Sequence, residues 1–88
     1  MLTFLRDSQE IIAEILECAQ VSQGISKTKV MYDVQLSIAQ IKEYLMYLQQ
    51  CNLLNYDEVD RVYITTTQGN RFVRLYNEMV DLISGYRR

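Results

Sequence analysis

A serine, Ser37, lies in the middle of a long apolar run, "KVMYDVQLSIAQIKEYLMYL", residues 29–48. Gln40 follows three residues later, and this spacing is that of a capping box, in which each residue bonds a backbone N–H of the other at a helix start. Asp33 and Gln35, just before the serine, favour turns over helix interiors. The run therefore predicts two helices that meet at a tight turn between about Asp33 and Ser37, the outline of a helix-turn-helix.

The segment after Ser37 has the periodicity of a single helical face. Its apolar side chains recur at steps of three or four residues, namely Ile38, Ile41, Leu45 and Leu48. We expect these side chains to form the buried stripe of a helix that runs from Ser37 to about Cys51. Asn52 then favours the left-handed conformation that ends helices. Tyr44 lies on the flank of the stripe, where we expect half-buried packing rather than a ligand contact.

Two further helix starts precede this unit. Asp7 followed by Glu10 has the capping-box spacing and begins a first helix with a continuous apolar face. That helix should end before Gly24, in a connector that leaves room for one short strand at Ile25. Ser26 then caps a short second helix. The first half of the chain therefore predicts helix, strand, helix and helix in that order.

A hairpin and a last helix complete the pattern. Two short β-rich runs, around Leu54 and Tyr63, flank the polar turn "DEVD", as in a β-hairpin. A hairpin directly after a helix-turn-helix is a wing, and Thr66 then caps a final helix. We therefore expect a mainly α fold with a small β-hairpin (α+β), a winged helix-turn-helix with a C-terminal helix for dimerisation. Its two parts are residues 1–66, the winged helix-turn-helix domain, and residues 67–88, the core-covering and dimerising helix.

The residue types present exclude most catalytic and metal chemistry. The chain of 88 residues is long enough for one domain and contains no histidine. Its two cysteines, Cys18 and Cys51, lack the spacing of zinc ligands, so we expect no metal site, no cofactor, no catalytic residue and no small-molecule ligand. Two packed apolar thiols are expected in preference to a disulfide. The protein is therefore predicted not to be an enzyme.

No membrane segment is expected either. No apolar stretch approaches the roughly 18 residues that span a bilayer, and the start "MLTFLRDSQE" lacks the apolar core of a signal peptide. We therefore expect a cytoplasmic protein. The net charge of −2, from 9 basic and 11 acidic residues, argues against coating nucleic acid by bulk charge. Any DNA-facing surface must then come from a local arrangement of basic side chains.

Three stretches of the chain resemble a known family. "RDSQEIIAEILECA", "SKTKVMYDVQLSIAQIKEYLMYL" and "YITTTQG" are similar to the archaeal winged-helix DNA-binding family that includes small chromatin-associated and transcription-regulator-like proteins. The resemblance covers about residues 6–72, and it implies a nucleoid-associated protein that binds double-stranded DNA. The chain departs from the family pattern at Asp33, Gln35, Asn52 and Thr65. Asp33 places a negative charge where the family approaches phosphates.

The expected DNA contacts follow from this pattern. In a helix-turn-helix the second helix enters the major groove with its N-terminal residues on base edges, and we expect the helix at about 37–51 in this role. The predicted contact residues are Lys27, Thr28, Lys29, Gln35, Ser37, Gln40, Lys42, Tyr47 and Arg61. Gln40 is the candidate base reader, since an amide can pair bidentately with adenine, although the capping box already engages it. Ser37 and Lys42 suit phosphates, and Arg61 is the positive charge of an otherwise acidic wing.

The last helix carries two apolar stripes. One has the alternating steps of a coiled-coil seam, and a second lies beside it. The predicted dimer interface is formed by Phe72, Leu75, Tyr76, Met79, Leu82, Ile83 and Tyr86. Since a compact winged helix covers one stripe near the start of this helix, the simplest partner for the other is a second copy. The alternative is a helix that folds back and buries both stripes within the monomer.

These expectations define a function and its competitors. We expect sequence-preferring binding of double-stranded DNA by a homodimeric winged-helix transcriptional regulator. The alternatives are a winged-helix module for protein–protein interaction and a chromatin-architecture protein with little sequence specificity. The fold by itself does not separate them.

Overall fold

The protein folds as an α+β winged helix, as predicted. The computed structural model describes residues 7–86, with side chains described to residue 84. In chain order the elements are α1 (Ser8–Cys18), α2 (Lys27–Val34), α3 (Ile38–Gln50), β1 (Leu54–Asp57), β2 (Val62–Thr65) and α4 (Thr67–Tyr86). Within residues 7–86, none of the helices is both long enough and apolar enough to cross a membrane.

The first two helices begin at the residues that the sequence indicates. The Asp7 carboxylate accepts a hydrogen bond from the backbone N–H of Glu10 at 2.8 Å. The Ser26 hydroxyl accepts one from the N–H of Lys29 at 3.2 Å. Each cap satisfies a backbone donor that the first helical turn leaves without an intrahelical partner. These local bonds fix where α1 and α2 start, and they confirm both predicted caps.

The predicted tight turn between α2 and α3 is confirmed. Both halves of the capping box form. The Ser37 hydroxyl accepts from the backbone N–H of Gln40 at 3.2 Å, and the side-chain Oε1 of Gln40 accepts from the backbone N–H of Ser37 at 3.1 Å. Gln35 ends α2 in the left-handed conformation, at φ 62°. The predicted turn began at about Asp33, whereas α2 continues through Asp33 to Val34, so the turn is shorter than expected.

The wing is an antiparallel hairpin with a third backbone segment beside it. β1 and β2 pair with Leu54 opposite Thr65. On the other edge of β2, the N–H of Ile25 donates to the carbonyl of Tyr63 at 2.9 Å, and the N–H of Tyr63 donates back at 2.7 Å. The short strand predicted at Ile25 is therefore present as a single β-bridge. It ties the connector before α2 to the wing.

The core lies between α1, α2, α3 and the base of the wing. Its fully buried large side chains are Ile15, Leu16, Val30, Val34, Ile41, Leu45, Leu48 and Leu54. The prediction that Ile38 belongs to this core is wrong, since its side chain is 62% exposed. Periodicity fixes the direction of a side chain around a helix axis, but not how far along the axis the core extends. Here the core reaches Ile41 and stops one turn short of the helix start.

The start of α4 is fastened to the end of α3. The Thr66 hydroxyl accepts from the N–H of Gly69 at 2.9 Å, which confirms the predicted cap, and donates to the carbonyl of Asn52 at 2.9 Å. The N–H of Thr66 donates to the carbonyl of Leu53 at 3.1 Å. A side chain at position 69 would overlap that same Leu53 carbonyl and the Thr65 methyl group. Glycine therefore permits the close approach of α4 to the backbone of Leu53, just before β1.

The rest of α4 leaves the body of the protein. Val73 is buried in the core, and the Asn77 amide donates to the Glu17 carboxylate of α1 at 3.2 Å. Further along, Leu82 and Ile83 are 77% and 53% exposed, and the molecule measures 47 × 26 × 20 Å. The alternative in which α4 buries both stripes within the monomer is therefore contradicted. Its second half projects, as predicted.

Both cysteines are free thiols, which agrees with the prediction that they form no disulfide. Each is half-buried, and Cys18 packs against the core. Burial raises the pKa of the Cys18 thiol, and the negative charges of Asp33 and Glu14 raise it further. The thiolate is the reactive form of cysteine, so Cys18 stays protonated and unreactive at neutral pH.

Candidate nucleic-acid interface

The start of α2 and the wing form one groove that carries two basic side chains. The groove has a volume of about 370 Å³ and is lined by Ser26, Lys27, Thr28, Tyr56, Arg61 and Tyr63. The rings of Tyr56 and Tyr63 form its wall, with centroids 4.7 Å apart. The fold thus brings together Lys27, Thr28 and Arg61, three predicted contact residues from distant parts of the sequence.

The cations of this groove are not neutralised by any other residue that the structure describes. Lys27 and Arg61 are exposed, and neither forms an ion pair with another described residue. The exposed first turn of α2 lies beside them and adds the partial positive charge of a helix N-terminus. The groove is therefore suited to an anionic group such as a phosphate.

The turn of the wing is built by one of its acidic residues. The Asp57 carboxylate accepts hydrogen bonds from the backbone N–H groups of Val59 at 2.9 Å and Asp60 at 3.2 Å. Arg61 follows with its backbone in the left-handed conformation, at φ 57°. Residues other than glycine adopt this conformation at a cost in free energy. Asp57 thus has a structural role in the turn, while Glu58 and Asp60 remain exposed at the tip.

Lys29 is also a predicted contact residue, but unlike Lys27 it forms an ion pair with a described residue. Its ammonium group lies 3.0 Å from the carboxylate of Asp33, one turn further along α2. The pair is on the surface, with the Lys29 side chain 60% exposed. Its positive charge is therefore partly neutralised by a neighbour on the same helix.

The exposed face of α3 carries the other predicted residues. The carbonyl oxygen of Gln40 is occupied by the capping box, so a bidentate pairing with adenine, which needs that oxygen, would open the cap. The amide N–H groups of Gln40 remain available as donors. Lys42 is exposed and forms no ion pair with the part of the chain that is described. Tyr44 is half-buried, as expected, with its hydroxyl 3.4 Å from that of Ser8.

Tyr47 lies further along the same face. A hydrogen bond with the Cys51 side chain, one turn later, raises the pKa of the Tyr47 phenol. The phenol therefore stays protonated at neutral pH. Tyr47 lies in the third turn of α3, away from the N-terminal turn that reads bases in helix-turn-helix proteins.

Gln35 lines a separate depression on the other side of α2. This depression, of about 450 Å³, is bounded by Thr28, Met31, Tyr32, Gln35 and Leu36. Thr28 contributes to both this depression and the basic groove. Gln35 is thus brought near Thr28, but it does not line the groove that holds Lys27 and Arg61.

A second polar groove was not predicted from the sequence. It has a volume of about 860 Å³, and its lining includes Asn52, Asn55, Thr66, Gln68, Arg71 and Arg74. Arg71 and Arg74 are exposed and form no ion pair among residues 7–86. The sequence does contain one signal for this groove, since a spacing of three residues places the two arginines on the same face of a helix. The asparagines join them only because the chain returns past the end of α3.

The predicted dimer residues of α4 divide into two groups. Leu75, Met79, Leu82 and Ile83 are exposed apolar side chains. Phe72 and Tyr76 are half-buried, with stacked rings 6.3 Å apart, and Phe72 packs against the core of its own chain. The side chain of Tyr86 lies outside the described part of the structure, as do residues 1–6 and 87–88 of the two predicted segments. The exposed group forms an apolar surface near the end of α4.

A capped tight turn followed by a hairpin wing defines the class of protein. The winged helix-turn-helix family matches residues 5–84, and the chain belongs to that family. Among solved structures, it is similar to Sso10a-2, described as a DNA-binding protein from Sulfolobus solfataricus. The TM-score is 0.77 at 24% sequence identity, and the match covers 93% of this chain and 86% of that one. No curated protein sequence matches the chain. The predicted fold family is confirmed.

Proposed function

We propose that the protein binds double-stranded DNA as a homodimer and acts as a sequence-preferring transcriptional regulator on the nucleoid. In this proposal α3 enters the major groove, while the start of α2 and the wing contact the phosphate backbone. The observation that carries it is the basic groove, in which Lys27 and Arg61 converge without an acidic partner among the described residues. The similar protein Sso10a-2 is itself described as DNA-binding.

Affinity in this proposal comes mainly from phosphate contacts. Lys27, Lys42 and Arg61 are the cations that have no ion pair with other described residues near the helix-turn-helix. Each phosphate contact releases condensed counterions from DNA, so binding weakens as salt is raised. The hydroxyl of Ser37 and the amide of Gln40 supply neutral donors at the first turn of α3. One subunit therefore offers few contacts to DNA, and a dimer would offer twice as many.

Dimerisation supplies the second set of contacts. Leu75, Met79, Leu82 and Ile83 give α4 an exposed apolar surface that a second copy of the helix can cover. A two-fold dimer would bring two recognition helices to the same duplex and double the phosphate contacts. In this division of labour residues 1–66 contact DNA and residues 67–88 hold the dimer together.

Salt titration of duplex binding by fluorescence anisotropy tests the proposal. Lys27→Ala and Arg61→Ala should weaken binding to all duplexes alike and reduce the salt slope by about one each. Arg71→Ala removes the same charge from the other polar groove and should leave the slope unchanged. Absence of duplex binding at low salt would contradict the proposal. An equal effect of all three substitutions would show that overall charge, and not this groove, attracts the DNA.

Selection from a random duplex library separates the regulator from a chromatin-architecture protein. A regulator should enrich a consensus sequence, because base contacts from α3 discriminate among sites by about 1–3 kcal/mol per base pair. An architectural protein should enrich composition or bendability without a consensus. Either result leaves the proposed DNA contacts of the basic groove in place.

The second candidate is a protein-interaction module. It is favoured by Tyr32, whose ring is 78% exposed on α2, and by the exposed acids Glu58 and Asp60 at the wing tip. Phosphates would be repelled by that tip, whereas a basic protein surface would be attracted. Tyr32→Ala should leave DNA binding unchanged if this surface serves another partner.

A further inference from the structure

The outward face of α3 carries exposed apolar side chains where a helix-turn-helix reads bases. Ile38 and Ala39 form its exposed first turn, and Met46, two turns later, is 60% exposed. A shallow groove of about 420 Å³ runs along this face, lined by Ala39, Lys42, Glu43, Met46, Tyr47 and Gln50. Ile38 is the residue that periodicity assigns to the core and that the fold leaves outside it.

The first turn of α3 has little hydrogen-bonding capacity to offer a base edge. Ile38 and Ala39 have none in their side chains. The side-chain carbonyl oxygen of Gln40 accepts from the N–H of Ser37, which leaves the amide N–H groups of Gln40 and the hydroxyl of Ser37 as donors. Recognition at this turn must therefore rely largely on apolar contact.

The major groove of DNA presents one apolar group, the C5-methyl of thymine. We infer that Ile38 and Ala39 read thymine methyl groups, so that the preferred duplex carries thymines beneath the first turn of α3. The inference rests on the proposed function, because it requires α3 to lie in the major groove. We therefore expect this face of α3 to prefer duplexes that contain A·T base pairs.

The charges beside this surface favour DNA as its occupant. Lys42 lies next to Ile38 around the helix axis, since four residues span about 400° of rotation, and it forms no ion pair with another described residue. The N-terminus of α3 adds positive partial charge at the same end. An apolar centre with a positive border matches a thymine methyl flanked by phosphates. Glu43 is the acidic exception on the face, and it lies one turn beyond Ala39, just as Lys42 lies one turn beyond Ile38.

Replacing thymine by deoxyuracil tests the inference, because it removes only the methyl group. Wild-type protein should bind a thymine-containing duplex more tightly than the same duplex with deoxyuracil, by about fourfold for each methyl that becomes buried. A G·C duplex should gain affinity when its cytosines carry 5-methyl groups, which occupy the equivalent place in the groove. Both comparisons are made by fluorescence anisotropy at one salt concentration.

Two variants separate direct contact from changes in DNA shape. Ile38→Ala should abolish most of the difference between thymine and deoxyuracil, and it should not unfold the protein because the side chain is largely exposed. Val59→Ala, which shortens the apolar side chain at the wing tip, is the matched control and should preserve the difference. Circular dichroism verifies that both variants are folded.

The possible failures are distinguishable. If the protein binds duplexes in a salt-dependent manner but does not distinguish thymine from deoxyuracil, the inference is overturned and the proposed function stands. A difference that persists undiminished in Ile38→Ala assigns the effect to DNA shape and also overturns it. Absence of any duplex binding at low salt overturns the proposed function itself.

Discussion

The ammonium group of Lys29 lies 3.0 Å from the carboxylate of Asp33, one helical turn further along α2. This pair changes the electrostatics of the surface that the family resemblance assigns to phosphates. Asp33 places a negative charge where the resembling family approaches phosphates, and its ion pair with Lys29 partly neutralises the positive charge of that lysine. Lys27 is therefore the cation of α2 that has no ion pair with another described residue.

Asp33→Asn should strengthen DNA binding. Without the carboxylate, Lys29 becomes available to a phosphate, and the salt slope should steepen by about one counterion. The lost surface pair should cost at most about 0.5 kcal/mol of folding stability. Anisotropy titrations at several salt concentrations measure the slope, and Asp81→Asn on α4 is the charge-matched control. Equal gains from both substitutions would mean that only net charge has changed.

Arg61→Gly should stabilise the fold while it weakens DNA binding. Arg61 adopts the left-handed conformation at φ 57°, and glycine relieves a strain that should be worth about 0.5–1 kcal/mol after its own entropic cost. Urea denaturation measures the stability, and anisotropy measures the loss of the phosphate contact. Asn52→Gly changes a residue at φ 63° outside the predicted contact set, and it should leave DNA binding unaltered. A loss of stability in Arg61→Gly would show that the arginine side chain supports the wing.

Met79→Glu combined with Leu82→Glu should convert the proposed dimer to a monomer. Both side chains belong to the exposed apolar surface of α4, and placing a charge in a dimer seam without a partner is strongly unfavourable. Light scattering at micromolar protein concentration gives the mass. Gln68→Glu with Ser84→Glu adds the same two charges to α4 outside that surface and should remain dimeric. A wild-type protein that is monomeric under these conditions would remove the basis for the proposed dimer.

Folding stability should decline at alkaline pH. Burial raises the pKa of Cys18 above its usual 9.0 and that of Tyr63 above its usual 10.0. Both groups therefore hold their protons more tightly in the folded state than in the unfolded state. The associated stability is fully present below pH 9.0 for the thiol and is lost as pH rises through the raised values.

Urea denaturation across this alkaline range measures the effect. Cys18→Ala should flatten the part of the decline that begins near the usual thiol pKa of 9.0, and Tyr63→Phe the part that begins near 10.0. The substitutions themselves will lower stability at neutral pH, so the comparison concerns the slope with pH and not the absolute value. Slopes that match the wild type in both variants would exclude these groups as the cause.

The elements of this fold were predictable because their signals are local. Ser26, Ser37 and Thr66 each cap a helix through a hydroxyl and an N–H three residues later, and such spacing is readable in any sequence. Asn52 takes the left-handed conformation that its position suggested, at φ 63°. The wing follows equally from two short β-rich runs around a polar turn.

The candidate site was only partly predictable because it depends on distant residues. Contact types could be assigned to Lys27 and Arg61, but their meeting in one groove results from the bridge between Ile25 and β2. Ile38 was misassigned because its direction fits the buried stripe, while the length of the core is set by other elements. The groove that contains Arg71 was not predictable, because it forms only where the chain returns past the end of α3.

The junction between α3 and α4 has a mechanical consequence. Hydrogen bonds from Thr66 to the Asn52 and Leu53 carbonyls, and the close approach at Gly69, make the end of α3 and the first turn of α4 one rigid piece. In a dimer joined through α4, that helix would then set the distance and the relative orientation of the two copies of α3, the recognition helices. One residue inserted between the junction and the dimer seam would turn each recognition helix by about 100° and shift it by about 1.5 Å relative to that seam. The spacing of two half-sites along a duplex would thus be set by a helix that touches no base.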